Sequence, residues 1–437
     1  MKKKLIVLSV DSLFDEDMEY LKTLPNFGRL ICRASYAPDG MGSVYPSCTY
    51  PAHASLITGT WPERHGIYHN ERPEPGKPCL DWFWYREDLK AETLLDAAHR
   101  AGLTTACVSW PCMGADPSVD WLVAEIWPES REEDPRPVLR KACSANMLAP
   151  GGVLERHWHK LRKTDKPFMD HMMVGCSCDI IRRYRPDVMF IHLAYLDDAR
   201  HGNGVHGPAV RQAIIANDDW FGRLEEAAMD AGTYEDTNFA VISDHGHLDV
   251  LRVFRPNVLL AEAGLLDVDG EGRIRDWRAY CHSASLSCQV FLRDPGDGES
   301  RRAVEKLLGT MDRTYGVERV LRREEAQREY HLDGPFSYIL EGKAGTGFDG
   351  GCTGRPVVFP GDSDCCFPRA SHGHMPWKGP QPVFIAAGPD IREGVIISNR
   401  HIVDEAPTFA RMLGLALPEA QGEAMTEILK QENINSI

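Results

Sequence analysis

The stretch LIVLSVD, residues 5–11, decides the fold class of this chain. A short apolar run that ends at an aspartate is typical of a buried strand in a parallel sheet, because such strands are covered on both faces. Runs of the same kind recur along the sequence: TTACVSW (104–110), DVMFIHL (187–193), FAVI (239–242) and PVFIA (382–386). The sequence therefore predicts a sheet assembled from segments that lie far apart in the chain.

Segments with helical spacing of apolar residues separate these runs. We predict a helix that begins near residue 49, and others at residues 91–101, 168–184, 208–231 and 406–413. The alternation of buried strand and amphipathic helix predicts an α/β fold with a doubly wound, mostly parallel central sheet and helices on both faces.

Residues 250–340 interrupt this alternation. Short strand patterns at 289–292 and near 317–321, with a helix at 300–311 between them, predict a small inserted α+β subdomain. Residues 112–168 are rich in Pro, Asp, Glu and Trp and predict an insertion within the core. The predicted domains are a catalytic core at residues 1–250 and 341–437, and a subdomain at residues 251–340.

The composition excludes several classes of protein. The net charge of −15 argues against a nucleic-acid polymer as partner, since proteins that bind one usually present a basic face. The apolar run Leu5–Val10 is too short for a secretory signal or a membrane span, so we expect no membrane partner. The 13 cysteines are an odd number without a CxxC pair. We therefore expect reduced thiols and a cytoplasmic protein.

Metal-competent side chains follow several of the predicted strands. Since ligands bind outside the carboxyl ends of strands in a doubly wound sheet, these side chains should meet at one rim. The mixture of carboxylates and imidazoles is the set that Zn²⁺ prefers, although Mn²⁺ or Fe also suits such a site. The candidate ligands are Asp11, Asp197, His201, Asp244, His245 and His372.

A candidate nucleophile precedes the first long predicted helix. In YPSCTYP (45–51), Thr49 lies at or just before the helix N-terminus, where free N–H groups favour an alkoxide and a phosphate oxygen. A threonine hydroxyl is a weak nucleophile near neutral pH, so it needs a metal ion or a base to take its proton. A pair of metal ions could stabilise both the attacking and the leaving oxygen of a phosphoryl transfer.

Together these motifs resemble the nucleotide pyrophosphatase/phosphodiesterase branch of the alkaline phosphatase superfamily. The motifs that carry the resemblance occur in the order expected for that branch, from residue 5 to the end of the chain: Asp11, YPSCTYPAHASLITGTWPERHGIYHN (45–70), Asp197-x-x-x-His201, SDHG (243–246), SHG (371–373) and FIAAGPDIREG (384–394). The resemblance implies an alkaline-phosphatase-like core and a hydrolase of phosphodiester or pyrophosphate bonds.

Residue by residue, the resemblance implies two zinc ions. One would be held by Asp197, His201 and His372, and the other by Asp11, Asp244 and His245, with Thr49 as an additional ligand. Asn70 matches the asparagine that donates to a phosphoryl oxygen. The implied mechanism has two displacements through a covalent phospho-threonine at Thr49.

The substrate is less sharply defined than the reaction. The implied substrate is a small-molecule phosphoester, with a nucleotide as one candidate. The alternative on the same scaffold is a phosphomonoesterase or a phosphonate (phosphonoacetate-type) hydrolase, and no motif assigns Arg64, Arg72 or Arg86 to the extra charge of a monoester. A sulfatase is disfavoured because C-x-P-S-R is absent. The complete ligand set disfavours a non-catalytic phosphate-binding protein.

Base recognition has only weak support in the sequence. Tyr50 could stack on an aromatic base or leaving group, or equally pack on the scaffold. Relatives often have an aromatic residue five positions before the aspartate of the D-x-x-x-H motif, and here that position is His192. His206, His247 and His374 are expected to support the ligands or face solvent, and His53, His65 and His69 to serve in packing.

Overall fold

The structure is a computed structural model that describes residues 3–77, 81–128, 133–160, 166–311 and 314–430. The strands of this part of the chain are β1 (Lys4–Val10), β2 (Ser35–Tyr36), β3 (Thr105–Val108), β4 (Trp121–Val123), β5 (Val188–Leu193), β6 (Thr237–Ile242), β7 (Leu248–Asp249), β8 (Arg252–Phe254), β9 (Leu266–Val268), β10 (Ile274–Trp277), β11 (Ala279–Ser283), β12 (Ser287–Leu292), β13 (Val317–Arg322), β14 (Tyr338–Gly342), β15 (Thr346–Phe348), β16 (Val357–Val358), β17 (Ala370–Ser371) and β18 (Phe384–Ala387).

The central sheet has seven strands in the order β2-β18-β6-β1-β5-β3-β4. Strand β1 lies in the middle and pairs in parallel with both β5 and β6. Strands β3 and β4 continue the parallel arrangement, whereas β18 runs antiparallel to β6 and β2. The predicted mostly parallel α/β sheet is therefore confirmed.

The helices alternate with these strands along the chain. Their bounds are α1 (Met18–Leu21), α2 (Pro25–Ile31), α3 (Thr49–Thr58), α4 (Pro62–His65), α5 (Leu94–Arg100), α6 (Arg136–Ala142), α7 (Ala145–Leu148), α8 (Val153–His157), α9 (Lys166–Tyr184), α10 (Tyr195–Asn203), α11 (Pro208–Asp230), α12 (Pro256–Glu262), α13 (Gly298–Leu308), α14 (Arg323–Tyr330) and α15 (Glu405–Leu413). Helix α3 packs against α5 and α15, and α11 packs against α2, α9 and α10.

Apolar burial explains why the central strands form where the sequence predicts them. Every residue from Leu5 to Val10 is buried, as is every residue of β5 and β6. Such strands have no face left for water, so they read as continuous apolar runs rather than alternating ones. Asp11 directly follows β1, which brings its carboxylate to the carboxyl end of the sheet.

A second sheet lies within the region of the predicted subdomain. Strands β11, β12, β14 and β13 form a four-stranded antiparallel sheet that has its own apolar core with α12 and α13. This sheet ends at Gly342, two residues beyond the predicted limit. The division of the chain into domains stays a prediction.

Two segments contain more regular structure than their sequence suggests. Strand β4 lies inside the stretch 112–168 and adds an edge strand to the central sheet. Three residues carry too little periodicity to be recognised. The Gly- and Pro-rich residues 344–380 contain the short strands β15, β16 and β17, and β17 ends immediately before His372.

Two properties of the described residues bear on the environment of the protein. None of the helices in the described ranges combines the length and apolarity that a membrane crossing requires. The twelve cysteines within those ranges are free thiols, and ten of them are fully or partly buried.

Candidate metal centre and active site

Four side chains converge on one point at the carboxyl end of the central sheet. Atom Oδ1 of Asp197 lies 3.4 Å from Nε2 of His201, 3.4 Å from Nε2 of His247 and 3.9 Å from Nε2 of His372. Ligands bound to zinc at about 2.0–2.1 Å in a tetrahedron stand about 3.3 Å apart, so the first two separations match a shared cation. We call these four residues the first cluster.

The three histidines of the first cluster are oriented by their other ring nitrogens. Nδ1 of His201 donates to the carbonyl of Ala370 at 2.8 Å, and Nδ1 of His372 donates to that of Ser47 at 3.2 Å. Nδ1 of His247 bonds the Ser12 hydroxyl at 2.6 Å. Metal-binding histidines are usually held in this way, with one nitrogen anchored and the other presented to the ion.

Local structure explains how Asp197 and His201, four residues apart in the sequence, reach the same point. Asp197 and His201 lie on α10, which begins two residues after β5, so a separation of four residues puts both side chains on one face of the helix. This helix is absent from the helices that the sequence predicts. His372 reaches the same point from the turn after β17.

A second cluster contains Asp11, Asp244, His245 and Thr49. Nε2 of His245 lies 3.2 Å from Oδ2 of Asp244, 3.5 Å from Oδ1 of Asp11 and 3.3 Å from Oγ1 of Thr49. These separations again match the edges of a tetrahedron around one cation. The rings of His245 and His372 stack with centroids 4.0 Å apart, so the two clusters are neighbours.

The charges of the second cluster favour a bound cation. Burial, together with the nearby carboxylates of Asp244 and Asp197, raises the pKa of Asp11, and burial raises the pKa of Asp244 to about 6. Oδ1 of Asp11 and Oδ2 of Asp244 are buried and have no hydrogen-bond partner within the described part of the chain. A buried carboxylate in this condition is costly unless a cation neutralises it. The donor set therefore fits the metal ions that the sequence predicts.

Three histidines of the clusters, His245, His247 and His372, are in the form that binds metal. Burial lowers the pKa of His245 to about 3 and lowers the pKa values of His247 and His372 well below their usual range. Neutral imidazole is the protonation state that coordinates an ion.

Thr49 is the first residue of α3, and its position agrees with the role predicted for it. The residue is 8% exposed, and its hydroxyl lies at the corner of the second cluster described above. The side-chain oxygen of Asn70 accepts from the backbone N–H of Tyr50 at 2.9 Å. That bond leaves the NH₂ group of Asn70 as a donor beside the N-terminus of α3.

His192 supports the second cluster instead of offering a stacking surface. Its Nδ1 donates to the carbonyl of Ser109 at 2.9 Å, and its Nε2 lies 3.1 Å from Oδ2 of Asp11. Burial disfavours the charged ring, but the hydrogen bond to Asp11 and the charges of Glu125 and Asp11 raise the pKa of His192 to about 9. His192 therefore holds Asp11 in place as a charged donor.

The structure corrects the predicted substrate contact of Tyr50. Its ring is fully buried and packs edge-on against Trp82 and Trp84, at centroid distances of 5.2 and 5.9 Å. The packing alternative therefore holds for this side chain, and its ring is closed to an aromatic leaving group. Only its backbone N–H takes part in the site, through Asn70.

Two features of the site are absent from the sequence prediction. His247 belongs to the first cluster, where its Nε2 faces Asp197, although the sequence assigns it only a supporting role. The pattern His245-Gly246-His247 is the signal that could have indicated a further ligand. The second feature is a group formed by His69, Glu71 and His282, whose candidate ligand atoms lie within 4.8 Å of one another.

Gly373 allows the segment that carries His372 to pack against the four-stranded antiparallel sheet, which we call the small sheet. Its φ is +88°, and a Cβ at this position would lie 1.8 Å from the carbonyl oxygen of Ala284. The turn between β11 and β12 therefore packs directly on the residue after His372, and the N–H of Leu286 donates to the carbonyl of His372 at 2.9 Å. Only glycine permits this approach.

A comparison with known protein families shows to which family this chain belongs. Residues 5–341 match the family described as type I phosphodiesterase / nucleotide pyrophosphatase. The chain belongs to this family. The predicted membership is thus confirmed.

Curated relatives agree with this membership. Rat ectonucleotide pyrophosphatase/phosphodiesterase family member 1 is 24% identical over 242 residues, which are 52% of this chain and 22% of the rat protein. A Caenorhabditis elegans ectonucleotide pyrophosphatase/phosphodiesterase is 23% identical over 425 residues, which are 95% of this chain and 43% of that protein. The chain thus spans less than half the length of either relative.

A solved structure shows the fold of the family. Murine ectonucleotide pyrophosphatase / phosphodiesterase 5 superposes with a TM-score of 0.67 at 18% identity, over 98% of this chain and 100% of that one. An inactive variant of the murine protein has been solved in complex with AMP. The predicted alkaline-phosphatase-like architecture is confirmed, whereas the individual roles of the site residues stay predictions.

Proposed function

We propose that this protein hydrolyses phosphodiester or pyrophosphate bonds with Thr49 as the nucleophile. The observation that carries the proposal is the 3.3 Å separation between Oγ1 of Thr49 and Nε2 of His245, within a buried cluster that also contains Asp11 and Asp244. Family membership supports the reaction class. A hydroxyl in this position could be activated by a cation held in the cluster, which is one of the ways in which a threonine becomes a nucleophile.

Zn²⁺ is the cofactor we propose for both clusters, with Mn²⁺ or Fe as substitutes. Asp197, His201, His247 and His372 would hold one ion, and Asp11, Asp244, His245 and Thr49 the other. The ions would supply positive charge to the attacking and leaving oxygens and lower the pKa of the bound hydroxyl. The protein itself positions Thr49 at the start of α3 and aims the NH₂ group of Asn70 at a phosphoryl oxygen.

The reaction we propose proceeds in two displacements. The hydroxyl oxygen of Thr49 forms a bond to phosphorus, the bond to the leaving oxygen breaks, and the leaving group takes up a proton. A phospho-threonine results. Water then attacks the same phosphorus, the bond to Thr49 breaks, and the threonine hydroxyl is restored.

The surroundings favour a phosphodiester over a phosphomonoester. A monoester carries more charge, which related sites meet with an extra basic residue, and the three candidate arginines are engaged with carboxylates. Arg64 pairs with Glu419, Arg72 with Asp88, and Arg86 with Asp96. Each of these ion pairs is partly exposed.

We therefore predict that bis-p-nitrophenyl phosphate is a better substrate than p-nitrophenyl phosphate. The kcat/KM of the diester should exceed that of the monoester by about tenfold or more, which corresponds to about 1.4 kcal/mol in the transition state. Release of p-nitrophenolate by the zinc-loaded protein measures both values. A tenfold preference for the monoester would reverse the assignment in favour of the phosphomonoesterase alternative.

His247 gives a test of the first cluster that does not depend on turnover. We predict that His247→Gln lowers the affinity for the first-cluster zinc by about 10-fold or more, because one of four converging ligands is lost. Competition with a chromophoric zinc chelator measures this affinity. His206→Gln is the matched control, since His206 is largely exposed and pairs with Glu16. Equal zinc affinity in the His247 variant and the control would remove His247 from the cluster.

Tyr50 and His192 occupy the two positions where the sequence analysis considers an aromatic partner for a nucleoside, and neither ring is available for stacking. Tyr50 and His192 are both buried and engaged with protein groups. We therefore propose a small phosphodiester or pyrophosphate as the substrate, with nucleotides as one member of that class. The cytoplasmic location stays a prediction.

A further inference from the structure

A second set of polar side chains lies beside the proposed phosphoryl site. His69 and Glu71 flank Asn70 in the sequence, and His282 reaches them from β11. The rings of His69 and His282 are 4.1 Å apart between centroids. Three candidate ligand atoms, one from each residue, lie within 4.8 Å of one another, and we call these residues the His–Glu–His group.

The His–Glu–His group is connected to the nucleophile by direct contacts. Nε2 of His69 bonds the carbonyl of Ser283 at 2.9 Å. The next carbonyl, that of Ala284, lies 3.8 Å from Sγ of Cys48, the residue before Thr49. Two consecutive carbonyls, those of Ser283 and Ala284, therefore link the group to the segment that carries Thr49.

His69 has no nitrogen left for a ligand. Its Nδ1 accepts from the backbone N–H of Glu71 at 2.9 Å, so Nε2 carries the hydrogen and donates to Ser283. A metal ion at Nε2 would need the hydrogen on Nδ1, where it would meet the N–H of Glu71. His69 thus positions the segment around Glu71 but does not bind an ion.

His282 presents a buried acceptor into the group. The residue is 2% exposed, and its Nε2 has no hydrogen-bond partner within the described part of the chain. Burial lowers the pKa of His282 well below its usual range, so the ring is neutral. A hydrogen bond with the backbone of Glu71 raises this pKa, as expected when the ring donates to a carbonyl. Nδ1 therefore carries the hydrogen, and Nε2 offers a lone pair.

Glu71 provides a carboxylate without a compensating cation. Burial is the one cause that raises its pKa, and no ion pair or side-chain hydrogen bond of this carboxylate occurs within the described ranges. The neighbouring Arg72 is committed to Asp88, from which its guanidinium is 2.5 Å away. Removing a carboxylate partly from water without a partner costs free energy, which a positively charged ligand would offset.

A metal ion satisfies this group poorly. With His69 occupied, only the carboxylate of Glu71 and Nε2 of His282 remain, whereas protein zinc sites use three or four protein ligands. Two acceptors, one charged and one neutral, suit a ligand that is a charged hydrogen-bond donor. The ring of Tyr280, 6.0 Å from that of His282 between centroids, adds an aromatic wall that is also favourable to a cation.

We propose that Glu71 and His282 bind a protonated amine on the group esterified to the phosphate, so that the protein prefers phosphoesters that carry an amine a short distance from phosphorus. The proposal rests on the proposed function for the position of the phosphate. Because Glu71 directly follows Asn70, an amine on a two-carbon spacer is the probe that tests this arrangement.

Binding of three phosphate monoesters to the zinc-loaded protein tests this inference. The probes are 2-aminoethyl phosphate, 2-hydroxyethyl phosphate and propyl phosphate, which differ mainly in one terminal group, and isothermal calorimetry gives their Kd values. We expect 2-aminoethyl phosphate to bind about tenfold or more tightly than propyl phosphate, because a charge-assisted hydrogen bond contributes that much. In Glu71→Gln this ratio should fall to within about twofold.

Two further variants test whether the preference for the amine arises at Glu71 and His282. Glu87→Gln makes the same change of charge at an exposed position and should keep the wild-type ratio. His282→Phe keeps a ring of similar size but removes the acceptor, so it should lower the ratio as Glu71→Gln does. If Glu71→Gln keeps the ratio, or if 2-hydroxyethyl phosphate binds as tightly as the amine, the proposal is overturned.

Two more measurements distinguish an amine site from a metal site and from the proposed function. Zinc content by mass spectrometry should be the same in Glu71→Gln and wild type, and the loss of one equivalent would show a metal site instead of an amine site. Turnover of bis-p-nitrophenyl phosphate by the wild type reports on the proposed function separately. A protein that does not turn over this diester, yet prefers the amine in calorimetry, would contradict the proposed function alone.

Discussion

Replacing Thr49 by alanine should lower kcat/KM for bis-p-nitrophenyl phosphate by about 10³-fold or more while both clusters still bind zinc. The hydroxyl is the group that would form the bond to phosphorus, and loss of a nucleophile usually costs at least this much. Most of the ligands remain in Thr49→Ala, because Asp11, Asp244 and His245 are unchanged. The measurements are steady-state turnover and zinc content of the purified variant.

Thr49→Ser is the matched control for this experiment. Serine keeps a hydroxyl at the start of α3, so turnover should return to within about 100-fold of wild type, the remaining loss reflecting a less constrained rotamer. Incubation of the wild type with substrate, followed by acid quenching and peptide mass analysis, should place phosphate on Thr49. Full activity of the alanine variant would exclude the covalent route.

The second large effect is expected for Asp244, whose carboxylate lies at the centre of the second cluster. Asp244→Asn should remove about one equivalent of zinc and lower turnover by about 100-fold or more, since even outer-shell changes at metal sites cost 10- to 100-fold. Oδ2 of Asp244 is fully buried and 3.2 Å from His245, so the substitution replaces one of the two carboxylates of the cluster with an uncharged amide.

The same substitution should have the opposite effect on stability when zinc is removed. Burial raises the pKa of Asp244 to about 6, so the folded protein is penalised by its charge at pH 7. In zinc-free buffer, Asp244→Asn should therefore melt at or above the wild-type temperature, whereas with zinc it should melt below it. Asp39→Asn, at an exposed position, should change neither temperature. A variant that loses stability equally with and without zinc would indicate a structural role for Asp244.

The central sheet and the convergence of most of the candidate ligands could be predicted because their signals are local. Strands β1, β5 and β6 are continuous apolar runs, and Asp11 and Asp244 follow them closely, so the rule for carboxyl ends of strands places both at one rim. On a helix, the four-residue spacing places Asp197 and His201 on the same face. These features need no knowledge of distant contacts.

The features that sequence reasoning missed depend on packing between distant segments. Tyr50 is adjacent to the nucleophile, but its side chain points into a pair of tryptophans more than 30 residues away, and no local pattern shows this direction. His282 comes from the small sheet, which reaches the site through contacts between distant segments such as the close approach at Gly373. Strand β4 is too short to show a period.

The ligands of the two clusters come from segments that extend from Asp11 to His372, and the strand before Asp11 lies in the middle of the central sheet. A cation can therefore be enclosed only after almost the whole polypeptide has reached its native arrangement. Unfolding that separates these segments would break the site and release a bound ion. Zinc availability would then set how long the folded protein survives proteases, since ligand binding to the native state alone lowers the population of opened forms.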